Sequence, residues 1–142
     1  RDWSSDVCSS DLMTTDLVVA PANLSAGAII ERLRNDPDLP DSFHHVYLVD
    51  PDDGRLTGVV TLRELIVTPL DTPIASVMSA NVIAAQATDD AEDVAHQIAH
   101  YDLSALPIVD AQGRPVGMVT VDDALDVLLP GEWRRRLPKI FR

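Results

Sequence analysis

Val46-Tyr47-Leu48-Val49-Asp50, a turn at Gly54-Arg55, and Gly58-Val59-Val60-Thr61-Leu62-Arg63-Glu64-Leu65 are written a second time further along the chain. The later copy runs Leu106-Pro107-Ile108-Val109-Asp110, Gly113-Arg114, then Gly117-Met118-Val119-Thr120-Val121-Asp122-Asp123-Ala124. The aspartates are 60 residues apart and the threonines 59, so one residue is lost from the second turn. Two apolar runs around a Gly-containing turn predict a β-hairpin, and the Thr that closes the second run is placed to start a helix. Such a unit leaves an apolar face that it cannot cover alone, so the two copies are read together as one domain.

Working outward, Val18-Val19-Ala20 reads as a strand ended by Pro21, and Ser25 as the cap of a helix with Ala26, Ile29, Ile30 and Leu33 at helical spacing. Residues 35–42, with two prolines, form a loop. Tyr47 to Val49 and Leu56 to Val60 are the hairpin strands, followed by a short helix from Leu62 to Ile66. In the second copy, Thr72 and Pro73 suit the start of a short helix through Met78. Val82 to Ala84 reads as a strand, and Asp89 or Thr88 as the cap of a helix with Ala91, Val94, Ala95, Ile98 and Ala99 on one face. Leu106 to Val109 and Val116 to Val119 are strands, and a closing helix runs from Asp122 to Leu129 before Pro130-Gly131. The fold class is therefore α+β, with α/β-type repeats. Each repeat runs strand, helix, strand, strand, helix, and the pair is expected to pack about a pseudo-twofold axis. The division is 13–70 for the first repeat, 71–130 for the second and 131–142 for a basic tail.

Arg1 to Leu12 are similar to a translated sequencing-adapter oligonucleotide, so this stretch is expected to be an artefact and disordered. On that reading Met13 need not be a start, and the single cysteine, Cys8, belongs to the artefact. The rest then has no disulfide framework, thiolate zinc site or thiol nucleophile. No apolar run approaches the roughly 20 residues of a membrane-spanning helix, and no signal-peptide pattern occurs, so a cytoplasmic location is expected. Between Met13 and Gly131 there are 19 acids and five arginines, within a chain of net charge −12. Such a surface repels nucleic acid and attracts divalent cations, and it equally serves as a well-solvated acidic exterior. Glu132 to Arg142 hold five bases against one acid, interleaved with Trp133, Leu137, Ile140 and Phe141. That tail suits an anionic membrane surface or the acidic body, although Pro138 interrupts any long amphipathic helix and disorder is the default.

Thr61 with Glu64, and Thr120 with Asp123, fit a capping box, in which the Thr oxygen accepts the third helical amide and the acid reaches back to the cap amide. The same groups fit a ligand. An acid on the first helical turn can accept two ribose hydroxyls, and the Thr hydroxyl with the free amides can hold phosphate. Both uses stay open on the residues alone.

Gly117-Met118-Val119-Thr120-Val121-Asp122-Asp123 resembles the Gly, two apolar, Thr, two residues, Asp pattern of the CBS domain family, regulatory modules that bind adenosine ligands. The resemblance covers residues 16–129, and the run from Val119 to Val127 with Leu12-Met13-Thr14-Thr15-Asp16 is similar to the cytosolic CBS pair of MgtE-type magnesium transporters. It implies an adenine nucleotide of the ATP or AMP class, with Asp123 on the ribose, Arg63 toward the phosphate that Thr120 can also hold, and Leu103 to Pro107 lining the base; Val18 is taken as a further nucleotide-binding candidate. Glu64 departs from the family's acid by one methylene, which puts the first repeat's site in doubt. Further implications are Mg²⁺ at Asp102 and Asp126, to which Asp122 is added because it lies within one helical turn of Asp126, a homodimer through the CBS helices, and a neighbouring N-terminal domain or transporter as partner. Scattered carboxylates with retained waters suit Mg²⁺, while acids in so acidic a chain also fall near one another by composition.

Glu92, His96 and His100, spaced by four, lie opposite the apolar face of their helix and read as solvated surface. His44-His45 has no evident partner. No Gly-rich phosphate loop with Lys, Cys/His pair or nucleophile triad is present, so the chain is read as a regulatory binding module and not an enzyme. The alternatives are an architectural dimerisation module without nucleotide, for which large side chains should fill the clefts, and a regulator of an enzyme encoded upstream. Ala105, Val18 and Ala20 predict room for a ligand.

Overall fold

The structure, a computed structural model, describes Cys8 and residues 11–128, except the side chains of Asp126 and Leu128. The basic tail, the end of the closing helix and most of the adapter-like stretch lie outside the described residues. The order is β1 (Val19–Pro21), α1 (Ala26–Arg34), β2 (His45–Val49), β3 (Leu56–Thr61), α2 (Leu62–Val67), a 3₁₀ turn (Ile74–Ser76), β4 (Ala85–Gln86), α3 (Ala91–His100), β5 (Ala105–Val109), β6 (Pro115–Thr120) and α4 (Val121–Leu128). Two three-stranded sheets result, ordered β1-β2-β3 and β4-β5-β6. The expected repeat is thus observed twice.

In the first sheet β1 runs parallel to β2, and β2 pairs antiparallel with β3 in the register Val46↔Val60 and Leu48↔Gly58. Alternation sends Val46, Leu48 and Val60, each 0 % exposed, into a core with Ile29, Leu33, Leu65 and Ile74. Fully burying such a side chain contributes about 1.5–3 kcal/mol. Ser25 caps α1 by accepting the Ala28 amide at 3.2 Å. The Ala26 and Gly27 amides donate to the carbonyls of Thr72 and Leu70, and Gly27 has no room for a Cβ, which would stand 2.9 Å from the Leu70 oxygen.

The second sheet builds an equivalent core from Leu106, Ile108 and Val119 with Val94, Ala95 and Ile98 of α3. Four local expectations change, the first being the short helix expected from Thr72 and Pro73 through Met78, which is only the 3₁₀ turn Ile74–Ser76. The short strand is Ala85–Gln86, where Ala85 pairs in parallel with Ile108, and Val82 to Ala84 precede it. Asp90, and not Asp89, caps α3 by accepting the Glu92 amide at 3.1 Å. Asp89 is spent instead on the Gln86 amide at 2.9 Å. Ala99 is exposed and lies off the buried face. At the end of α3 the Leu103 amide returns to the Ile98 carbonyl at 3.0 Å, with Asp102 left-handed at φ 53°.

The chain forms two compact units whose limits do not follow the repeats. Among the described residues, one comprises 16–82 with 112–115, and the other Cys8, 11–15, 83–111 and 116–128. Residues 12–14, which precede the first repeat's strands, belong to the unit that holds the second repeat's sheet. Leu12, expected to be the last residue of the artefact, packs half-buried against that core together with Met13.

Candidate functional site

Both Thr-x-x-acid motifs sit where the outer strand of a sheet, β3 or β6, turns into a helix. In the first unit Thr61 Oγ1 accepts the Glu64 amide at 3.0 Å, and Glu64 Oε1 accepts the Thr61 amide at 2.9 Å, a complete capping box. In the other unit Asp123, shorter by one methylene, is bonded differently. Thr120 Oγ1 accepts the Asp123 amide at a long 3.4 Å, and the Thr120 hydroxyl donates to Asp123 Oδ2 at 3.0 Å. The first amide of each helix is also spent, Leu62 on the His44 carbonyl and Val121 on the Ser104 carbonyl, both at 2.9 Å. Fewer first-turn amides are therefore open to a phosphate than the motif alone suggests.

This difference decides which acid is more readily released. Drawing Glu64 Oε1 away would leave a backbone amide unsatisfied, at a cost of about 1–3 kcal/mol. Drawing Asp123 Oδ2 away frees only a hydroxyl, which rotates to another acceptor.

The other expected contact residues fall as follows. Leu103 is half-buried against the second core at the α3–β5 turn, and Pro107 is buried within β5. By alternation with Leu106 and Ile108, Pro107 faces away from that core. Arg63 is exposed on α2. Val18 is 5 % exposed and part of the first core, with its carbonyl accepting the Tyr47 amide at 2.8 Å. Ala20 is buried in that core as well. Thr120, Asp123, Leu103 and Pro107 thus share one unit, while Arg63 and Val18 belong to the other.

Asp102 is exposed and Asp122 half-buried, and Asp126 lies on α4 with its side chain outside the described residues. Among the described residues no three His, Cys, Asp or Glu side chains gather to hold a metal. The described acids Asp102 and Asp122 do not by themselves make a Mg²⁺ cage. Glu92, His96 and His100 are exposed, as expected, with 3.9 Å between His96 Nε2 and Glu92 Oε1.

His45, without a visible role in the sequence, opens β2 opposite Thr61. Its ring stacks on Tyr47, two residues along the same strand face, with centroids 6.1 Å apart. Burial lowers the His45 pKa below 6.5, the neighbouring His44 charge adds to this, and Glu64 opposes it. Burial pushes the Tyr47 phenol up to about 12. Because the unfolded chain protonates His45 first, the stability contributed by neutral His45 is complete above pH 6.5. It is lost as pH falls through the lowered value of the folded state. Thermal melts between pH 7.5 and 5.5 should therefore show a steeper acid loss in the wild type than in His45→Gln. Parallel curves would remove His45 from the account.

Two grooves lie on the first unit. One, of about 360 Å³, is lined by Ile30, Leu33, Leu39, Phe43, Leu62 and Ile66 among others. The second, of about 540 Å³, runs past Ser25, Gly27, Glu31, Arg34, Leu70 and Asp71. Neither contains an expected nucleotide contact. Beside them Ile66, Val67 and Leu70 are 70 %, 65 % and 65 % exposed, an apolar patch that sequence periodicity missed because α2 has only six residues.

Two strand-helix-strand-strand-helix repeats, each with an acid on a capped first turn, define a tandem-repeat α+β protein. The sequence model of the CBS domain matches residues 9–70 and 74–130, and the chain belongs to that family. It is 39 % identical over 123 residues to the magnesium transporter MgtE of Enterococcus faecalis, covering 87 % of this chain and 27 % of the transporter. Among solved structures it is similar to the soluble part of a magnesium transporter, with TM-score 0.79, 38 % identity, and coverage of 89 % of this chain and 49 % of that one. It is also similar to the cytosolic domain of the Mg²⁺ channel MgtE in complex with ATP, with TM-score 0.75, 42 % identity, and coverage of 82 % and 47 %. The chain thus spans about a quarter of the length of the curated relative. No helix among the described residues is long and apolar enough to cross a membrane.

Proposed function

We propose that this chain is the cytosolic regulatory module of an MgtE-like magnesium transport system. In this reading it is not an enzyme. It binds an adenine nucleotide of the ATP class, and Asp123 receives the ribose hydroxyls. The observation that carries this reading is the Asp123 carboxylate. One oxygen is held only by the rotatable Thr120 hydroxyl, and the other has no hydrogen-bond partner among the described residues. Arg63, Leu103 and Pro107 complete the set implied by the family resemblance, with Val18 a further candidate, and the relative solved with ATP supports the ligand class. Nucleotide binding changes the module's preference between arrangements only through its differential affinity for them.

Mg²⁺ at Asp102, Asp122 and Asp126 is part of the same proposal. Since the described acids form no cage, the ion would keep waters and take further ligands from a neighbouring domain. Calorimetric titration of residues 13–142 with ATP, AMP and S-adenosylmethionine, with and without Mg²⁺, tests the reading. Saturable binding of one adenine ligand is expected, and no heat with any of the three would leave only an architectural module.

The exposed Ile66, Val67 and Leu70 support a homodimer through the CBS helices. Ile66→Glu should weaken that dimer about tenfold or more, since it places a charge in an apolar contact. Light scattering across a dilution series reads the change. An unchanged mass would exclude this face from the dimer.

A further inference from the structure

The strands leading to Thr61 and Thr120 are each braced by a short outside segment. Ser79 exchanges two backbone hydrogen bonds with Val59, at 3.0 and 2.9 Å, and Thr14 exchanges two with Met118, at 2.8 and 2.9 Å. In each case a glycine makes the room. Met78 lies on Gly58, and Met13 on Gly117, where an added Cβ would stand 2.7 Å from the Met13 sulfur and 2.8 Å from the Thr14 carbonyl oxygen.

The two braces are anchored by different means. Just before Met78 stands the 3₁₀ turn, whose Ile74 is wholly buried and donates its amide to the Leu24 carbonyl at 2.9 Å. Just before Met13 stand half-buried Leu12 and exposed Asp11, whose amide donates to the Cys8 carbonyl at 3.0 Å, and Cys8 forms an isolated antiparallel bridge with Asp90. The brace at Leu12–Thr14 holds β6, the strand leading to Asp123, and Met118 is only two residues from Thr120. A paired strand is stiff over that distance, so moving Met118 moves the cap of α4.

We propose that Leu12–Thr14 is a regulatory strap. Displacing the chain on its amino side shifts the Thr120–Asp123 turn and weakens its hold on ligand, and ligand bound at that turn seats the strap more firmly. The reciprocity follows from linkage. The ligand half rests on the nucleotide reading above, whereas the mechanical half does not.

The test is residue-resolved amide exchange on the whole chain. Thr14→Pro removes the donor to the Met118 carbonyl and should speed exchange at Met118, Asp123 and Ala124 about tenfold, leaving Glu64 in the other unit unchanged. Met13→Ala, which keeps every backbone bond, should act in the same direction and weaken ATP binding about fivefold, a typical coupling between sites. If Thr14→Pro unfolds the protein, Met13→Ala decides alone. Asp123 and Ala124 amides unmoved in the folded variants would overturn the strap. So would calorimetric ATP binding that leaves Thr14 and Met118 exchange unaltered, with the nucleotide reading then intact. Absence of ATP binding alongside a responsive Asp123 amide would retain the strap and remove the nucleotide reading.

Discussion

Asp123→Ala is expected to weaken ATP binding about 100-fold, because two hydrogen bonds to a charged carboxylate, each contributing about 1.5 kcal/mol or more, are lost together. Stability should change little. The Thr120 oxygen can still accept the amide of residue 123, and only the hydroxyl-to-carboxylate bond disappears. Glu64→Ala is the matched control, since it removes the half of the capping box that satisfies the Thr61 amide. It should cost about 1 kcal/mol of stability and leave affinity unchanged. Calorimetry paired with thermal melts reads both quantities. The opposite pattern, with affinity lost in Glu64→Ala and kept in Asp123→Ala, would move the nucleotide to the first repeat.

Gly117→Ala should be the more damaging change for folding, lowering stability by about 2–3 kcal/mol. The new methyl group would meet the Met13 sulfur and the Thr14 carbonyl oxygen, both under 3 Å away. A methionine side chain can swing aside. The carbonyl cannot without breaking its bond to the Met118 amide. For comparison, the Cβ of Gly113→Ala would meet only the Arg55 side chain at an ordinary 3.4 Å but must hold φ at +82°, which costs about 1–2 kcal/mol. Urea unfolding of the two variants ranks them. A smaller loss for Gly117 than for Gly113 would show that the Leu12–Thr14 segment yields freely and carries no strain.

Much of the fold was legible because its determinants are local. The repeat, the hairpin turns at Gly54 and Gly113, the Ser25 cap and the buried faces of α1 and α3 each depend on residues within a few positions of one another. The errors are of the kind that local reading makes. Asp89 and Asp90 are equally good caps by type, and which one serves depends on where the Gln86 amide sits. Val82 to Ala84 is as apolar as a strand, yet Ala85–Gln86 is the part that reaches β5. His45 carried no signal, since its stacking on Tyr47 and its nearness to Glu64 arise only when β2 and α2 are folded.

The candidate site shows the same division. The sequence by itself determined that each repeat carries a Thr-x-x-acid motif at a helix start, because type and spacing suffice for a cap. Tertiary structure alone decided that Glu64 satisfies a backbone amide while Asp123 takes a hydroxyl, a consequence of side-chain reach measured against a positioned strand end. It also decided that Met13 and Thr14, more than 100 residues from Met118 in the chain, brace the strand leading to Asp123. No periodicity encodes that contact. It exists because Gly117 offers a bare backbone edge, and hydrogen-bonding groups at an edge take whichever strand the folded chain brings to them.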